Sequence, residues 1–215
     1  MPTGWMLGLG ISGFVAALAL ALLLTPLVKK LAIRIGAVDV PNHRKVHKTI
    51  MPRMGGVAIY AAFAIIILIL LPFVPDSIIK ASDRNLVMAL ITGGTLIIAL
   101  GALDDKYDLS AKLKLLVQIG VACLVVFGFG IQVDFLNVPF GSAMQPIAEW
   151  IGIPLTIVWI VGVTNAINLI DGLDGLAAGV SGIAIGTTLV MGILMGNGTV
   201  ILLSAVLLGG IFGFL

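Results

Sequence analysis

The sequence predicts an all-α, polytopic transmembrane helical bundle of about seven spans, with its N-terminus outside. Three observations carry that prediction. Hydrophobic residues make up 60% of the chain and charged residues only 10%, whereas a soluble globular protein carries roughly 25% charged residues. So few charges cannot cover a surface that faces water. Apolar stretches of about twenty residues, long enough to cross a hydrocarbon core of about 30 Å, recur along the chain. The basic residues are concentrated on alternate connections between those stretches, the pattern that orients helices across a bilayer.

Taken in order, the expected spans are residues 5–28, 54–74, 86–103, 115–131, 151–168, 175–195 and 199–215. The first reads as a retained span rather than a cleaved signal: no Lys or Arg precedes it, and its apolar run exceeds a usual signal h-region. The connection 29–53 holds Lys29, Lys30, Arg34, Arg44, Lys45, Lys48 and Arg53, and the connection 104–114 holds Lys106, Lys112 and Lys114. Of the 12 basic residues only Lys80 and Arg84 fall on even connections, so the odd connections are expected in the cytoplasm. Pro72, Pro75 and Asp76 predict a tight outer turn after the second span. The alternation Ile131-Gln-Val-Asp-Phe-Leu136, followed by Pro139 and Gly141, predicts a short outer hairpin. Many of the 27 glycines fall within spans, including the pairs Gly93-Gly94 and Gly209-Gly210, and read as positions where helices approach closely. Cys123 stands alone in an apolar run and offers neither a disulfide nor a Cys-based metal site. With no repeat or linker, residues 1–215 read as a single membrane-embedded domain.

Three polar segments interrupt this apolar chain, and all fall on the expected cytoplasmic side. The densest is Asn165-Ala-Ile-Asn168-Leu-Ile-Asp171-Gly-Leu-Asp174-Gly-Leu176. Carboxylates close to hydrocarbon need a partner, a cation or water, so such a segment is a functional candidate. Asn165, Asn168 and Asp171 recur every three residues, which keeps neighbours adjacent on a helix, and Gly172 and Gly175 permit a break. Such groups can hydrogen-bond a ribose, a base or an acetamido group, or order waters around a metal. The plainer reading is a pair of Asx turns, with Asp174 as a helix N-cap.

The second segment is Asp104-Asp105-Lys106-Tyr107-Asp108. If helical, it places Asp104 or Asp105 on one face with Asp108. Clustered carboxylates favour a hard cation, and one or two of them with phosphate oxygens suit Mg²⁺. The plainer alternative pairs these aspartates with Lys106, Lys112 and Lys114 at a solvated helix end. The third segment is basic. Lys29, Lys30 and Arg34 read as anchors to anionic lipid. Arg44-Lys45-x-His47 and Pro52-Arg53-x-Gly55-Gly56 combine phosphate-clamping side chains with glycines that let backbone approach a ligand. His47 could carry a proton or simply hydrogen-bond.

Together these segments resemble the polyprenyl-phosphate N-acetylhexosamine-1-phosphate transferases (glycosyltransferase family 4), over nearly the whole chain from Asp39 to Leu215. The motif Asp104-Asp105-x-x-Asp108, combined with Asn165-x-x-Asn168-x-x-Asp171-Gly-x-Asp174-Gly-Leu176, carries the resemblance. The Arg44, Lys45, His47 and Arg53 pattern is similar to the UDP-GlcNAc branch. The resemblance implies transfer of N-acetylglucosamine-1-phosphate from UDP-GlcNAc to undecaprenyl or another polyprenyl phosphate, with release of UMP. It implies catalytic roles for Asp104 and Asp105, which would position the lipid phosphate or act as base. Substrate binding would fall to Asn165, Asn168, Asp171 and Asp174, with Arg44, Lys45, His47 and Arg53 as further contacts. Metal ligation would be shared among Asp104, Asp105, Asp108 and Asp171, with Mg²⁺ as cofactor and Mn²⁺ as the alternative ion.

Expected partners are a UDP-sugar, a polyprenyl phosphate and membrane lipids, with no nucleic acid; a homodimer is compatible. The expected location is the bacterial plasma membrane, multi-pass, with the site facing the cytoplasm. Lipid I synthesis from a UDP-MurNAc-pentapeptide is the second substrate reading. An intramembrane prenyltransferase or a cation-coupled transporter are remoter alternatives. The family's further metal-binding Asp in a Gly-Asp-x-Gly-Ser stretch and its histidine-rich loop are not in these 215 residues, so a fragment of a longer enzyme is expected.

Overall fold

The computed structural model describes residues 4–39, 51–136, 145–172 and 175–215. Among them, seven helices follow the seven expected spans. They are α1 (Gly4–Ile35), α2 (Gly55–Leu70), α3 (Arg84–Tyr107), α4 (Ala111–Cys123, continued by a π-helical turn over Leu124–Gly128), α5 (Glu149–Ile170), α6 (Leu176–Met195) and α7 (Gly198–Phe214). Five helical segments are long and apolar enough to cross a membrane, while α2 and α7, at 16 and 17 residues, are apolar but shorter. The chain is an all-α, multi-pass membrane protein.

Helix ends differ from the expected ones for identifiable reasons. Helix α1 runs past Lys29, Lys30 and Arg34, because nothing stops it before Gly36, whose φ is +78°. Helix α3 continues through Asp104 and Asp105 and stops only where Asp108 turns left-handed, φ 53°. Helix α2 ends at Leu70, two residues before Pro72, and rises only about 24 Å. The turn after it is pinned by Ile78 N–H donating to Pro75 O at 2.9 Å and by the exposed Arg84–Asp76 pair at 2.9 Å.

Two antiparallel ribbons join the helices. Strands β3 (Phe135–Leu136) and β4 (Gln145–Pro146) form the hairpin that the alternating pattern predicted. Strands β1 (Val38–Asp39) and β2 (Met51–Pro52) form a second one, which no alternation foretold. It is seated on the end of α1, where Arg53 N–H donates to Ala37 O at 3.0 Å.

Helix α7 is the centre of the bundle. Ile201, Leu202, Val206 and Ile211 are buried along it. The buried small residues Gly10, Gly13, Ala17 and Ala21 of α1 face it at helical spacing. A Cβ on Gly13 would come within 2.7 Å of Val206, and one on Gly209 within 2.9 Å of the Phe14 carbonyl carbon. Gly93 and Gly94 are likewise occupied, against Val125 and Tyr60. These glycines act as close-packing positions, as read from the sequence, whereas Gly101, Gly120, Gly162, Gly179 and Gly186 within the helices have nothing within 4 Å of an added Cβ.

Candidate active site

One end of the bundle collects the polar motifs. The end of α7 touches the starts of α2 and α6: an added Cβ would meet Phe214 at 2.7 Å from Gly55 and Leu215 at 3.1 Å from Gly175. The start of α2 meets the end of α3, because Met54 N–H donates to Asp105 Oδ2 at 2.9 Å. The start of α4 meets the same end of α3, through Lys114 Nζ and Asp104 Oδ2 at 3.0 Å. Helix α5 ends and helix α6 begins at this end as well.

Adjacent residues on a helix lie about 100° apart, so Asp104 and Asp105 address different neighbours. Asp104 turns to α4. Its Oδ2 pairs with Lys114, and its Oδ1 accepts from Leu109 N–H at 3.0 Å, which closes the helix end. Of the pairings weighed for this aspartate run, Asp104 with Lys114 forms. Lys106 instead lies 4.9 Å from the centre of the Tyr107 ring. Asp105, half-buried, turns the other way. It accepts from Met54 and interacts electrostatically with Arg53, Asp104 and Asp171.

Asp108 departs from the shared helical face that its spacing suggested. It is the left-handed stop of α3, exposed, with its N–H bonded to Asp104 O at 2.8 Å. A residue that leaves helical geometry no longer projects along the face of the turn before it.

Helix α5 carries Asn165 and Asn168 and ends at Ile170, with Asp171 at its C-cap. Asn165 is turned inward. Its Nδ2 donates to Gln118 Oε1 at 2.6 Å and to Val161 O at 2.8 Å. Asn168 and Asp171 are exposed. The break into α6 uses Gly175 at φ +74° as the N-cap, so only this glycine of the Gly172/Gly175 pair needs left-handed backbone. Gly55, read as a place for a ligand, is filled by the Phe214 ring, and Gly56 packs on Ile98. Asp174, Arg44, Lys45 and His47 lie outside the described residues.

Two contributors were missed by the sequence reading. Gln118, 7% exposed, is the buried carboxamide of α4. A polar residue inside an apolar span is the signal that could have found it. Met54 contributes through its backbone, in left-handed geometry at φ 72°. A backbone donor leaves no trace in residue identity.

Negative charge is concentrated at this end and is partly offset by basic side chains. Asp104, Asp105 and Asp171 all sit at helix C-termini, where the backbone dipole is already negative. Lys114 offsets Asp104, and Arg53 acts on Asp105. Among the described residues, no three His, Cys, Asp or Glu side chains are grouped to hold a metal ion.

Residues 87–215 match the family described as Glycosyl transferase family 4. A similar protein is the probable undecaprenyl-phosphate N-acetylglucosaminyl 1-phosphate transferase of Bacillus subtilis (strain 168). It is 48% identical over 202 residues, covering 94% of this chain and 53% of that protein. The decaprenyl-phosphate N-acetylglucosaminephosphotransferase of Mycolicibacterium smegmatis is 36% identical over 200 residues, covering 87% and 48%. The undecaprenyl-phosphate alpha-N-acetylglucosaminyl 1-phosphate transferase of Yersinia pestis is 32% identical over 177 residues, covering 78% and 42%. The chain spans about half the length of the curated relatives it matches. The family match starts within α3 and runs through α7, and so takes in both aspartate helix ends and the Gln118 helix between them; by that match, the chain belongs to glycosyl transferase family 4.

Proposed function

We propose that the protein to which this chain belongs transfers N-acetylglucosamine-1-phosphate from UDP-GlcNAc to undecaprenyl or a related polyprenyl phosphate. The reaction would be the first membrane step of cell-wall or surface polysaccharide synthesis, at the cytoplasmic face of a bacterial plasma membrane. A phosphate oxygen of the lipid attacks the β-phosphorus of the UDP-sugar. The bond from that phosphorus to the UMP oxygen breaks, UMP leaves with the electron pair, and the sugar stays on a lipid pyrophosphate. The observation that carries this reading is the gathering of Asp105 in the last turn of α3, Asp171 at the C-cap of α5 and Arg53 in the connection into α2, whose Met54 N–H bonds Asp105, at one end of a membrane bundle. An amphiphilic acceptor and a water-soluble donor can meet only at such an end.

Both reactants are anionic, so the site must offset repulsion as the phosphates approach. The donor set suits a hard cation that also binds phosphate oxygens: two carboxylates at negative helix ends. Asp105 and Asp171 would hold Mg²⁺, which supplies charge compensation when bound. Asp105, steadied by Met54 N–H, orients the lipid phosphate. Asp104, engaged by Lys114, sets the end of α3 from which Asp105 projects. Arg53 contributes positive charge beside them. Exposed Asn168 would contact the nucleotide sugar directly, and Asn165, whose amide nitrogen is turned inward, would offer it only the carboxamide oxygen.

The test uses membranes carrying the full-length protein, with UDP-GlcNAc, undecaprenyl phosphate and Mg²⁺. Expected are UMP release and a butanol-extractable sugar lipid, both abolished by EDTA. Asp105→Ala and Asp171→Ala each lower turnover by about a hundredfold or more. Turnover of UDP-MurNAc-pentapeptide in place of UDP-GlcNAc would overturn the substrate and keep the reaction class. Undiminished turnover in both variants would overturn the site.

A further inference from the structure

Helix α4 (Ala111–Cys123) links the two motif helices through one of its faces. Lys114 and Gln118, four residues apart and therefore on the same face, reach in opposite directions. Lys114 pairs with Asp104 on α3, and Gln118 bonds Asn165 on α5. The geometry at Asn165 restricts what that side chain can offer. Val161 O is a backbone carbonyl and only accepts, so the atom 2.8 Å from it is the amide nitrogen. The second proton of that nitrogen goes to Gln118 Oε1 at 2.6 Å. Both donors are therefore spent inside the bundle, and no described residue donates to Asn165 Oδ1. Burial of Gln118, 7% exposed, keeps water from replacing it as the acceptor.

We propose that Gln118 is a positioning residue for Asn165: it holds the carboxamide so that Oδ1 alone is presented, and this point of the site takes an N–H or O–H donor of the nucleotide sugar. The inference rests on the proposed transferase reading. It adds a polarity that residue identity does not contain, since a free asparagine donates and accepts equally. Loss of the Gln118 acceptor lets the carboxamide rotate and face the ligand with the wrong group. Gln118 touches no substrate, and its effect passes through Asn165.

The test reads the KM for each substrate separately in membranes carrying the full-length protein. Gln118→Met keeps the length of the side chain and removes the amide acceptor. It is expected to raise the KM for UDP-GlcNAc about tenfold, while kcat and the KM for undecaprenyl phosphate change by less than about threefold. Gln118→Glu, which retains an oxygen acceptor, is expected to stay within about threefold of the parent. Combined with Asn165→Leu, Gln118→Met should cost nothing further, because its route is already removed.

A Gln118→Met protein with the parental KM for UDP-GlcNAc overturns the proposal. So does additive loss in the double variant, or an equal fall of kcat with both KM values. If Gln118→Met does not accumulate in membranes, Gln118→Glu decides: a tenfold rise in the KM for UDP-GlcNAc overturns the proposal, and a value near the parent supports it. A parent protein that turns over a different nucleotide sugar overturns the substrate alone, and the same KM comparison is then made with that sugar. A parent that turns over none overturns the function reading and this inference with it.

Discussion

Met54 holds an uncommon conformation next to Asp105. A non-glycine residue at φ 72° is strained by about 1 kcal/mol, and here the strain aims its N–H at Asp105 Oδ2, 2.9 Å away. Met54→Gly should adopt the same backbone without that strain. Its melting temperature in detergent is expected to equal or exceed that of the parent, with turnover retained. Met54→Pro cannot adopt a positive φ and has no N–H to donate. Turnover at least tenfold lower is expected; parental turnover would show that the Met54 hydrogen bond is dispensable. The two variants separate the backbone donor from the side chain, which no substitution at Asp105 can do.

The packing of α1 (Gly4–Ile35) on α7 (Gly198–Phe214) depends on the absence of side chains at the contact. In a membrane there is little hydrophobic drive between helices, so close van der Waals contact between small residues supplies much of the association. Gly209 lies against the backbone of Phe14, and Gly213 against the backbone of Leu18. A backbone atom cannot swing aside as a side chain can. Gly209→Ala is therefore expected to destabilise by about 1–3 kcal/mol, read as a lower melting temperature in detergent. Gly120→Ala, where an added Cβ meets nothing within 4 Å, is the matched control and should melt like the parent. Equal melting of both variants would show that the α1–α7 contact can adjust.

The arrangement of the whole bundle makes a prediction about sidedness. Lys29, Lys30, Arg34, Arg53, Lys106, Lys112 and Lys114 all belong to the end that carries Asp105 and Asp171, whereas Lys80 and Arg84 belong to the other. By the positive-inside rule the Asp105 end is expected to face the cytoplasm and the N-terminus to lie outside. In a Cys123→Ala background, a cysteine at Lys112 is expected to react with an impermeant maleimide only after permeabilisation. A cysteine at Ser82 should react in intact cells. The reverse pattern would invert the topology and place the site outside, away from cytoplasmic nucleotide sugars.

Composition and apolar run length determined the all-α membrane class and the order of seven helices, because a bilayer accepts little else and sets the length of what crosses it. Residue spacing determined that the aspartate and asparagine motifs lie at helix ends, and the alternation after Ile131 announced the hairpin. Other features were decided by tertiary contacts. That α7 is central follows from packing against α1 and α2, and its hydropathy does not set it apart from its neighbours. That Asp104 is engaged by Lys114 while Asp105 faces Arg53 and Met54 follows from where a 100° step along α3 meets its surroundings. That Asn165 points inward to Gln118 required two helices to meet. Periodicity describes one element against an averaged solvent. Which neighbour a side chain finds depends on residues distant in the chain, and only the folded bundle brings those together.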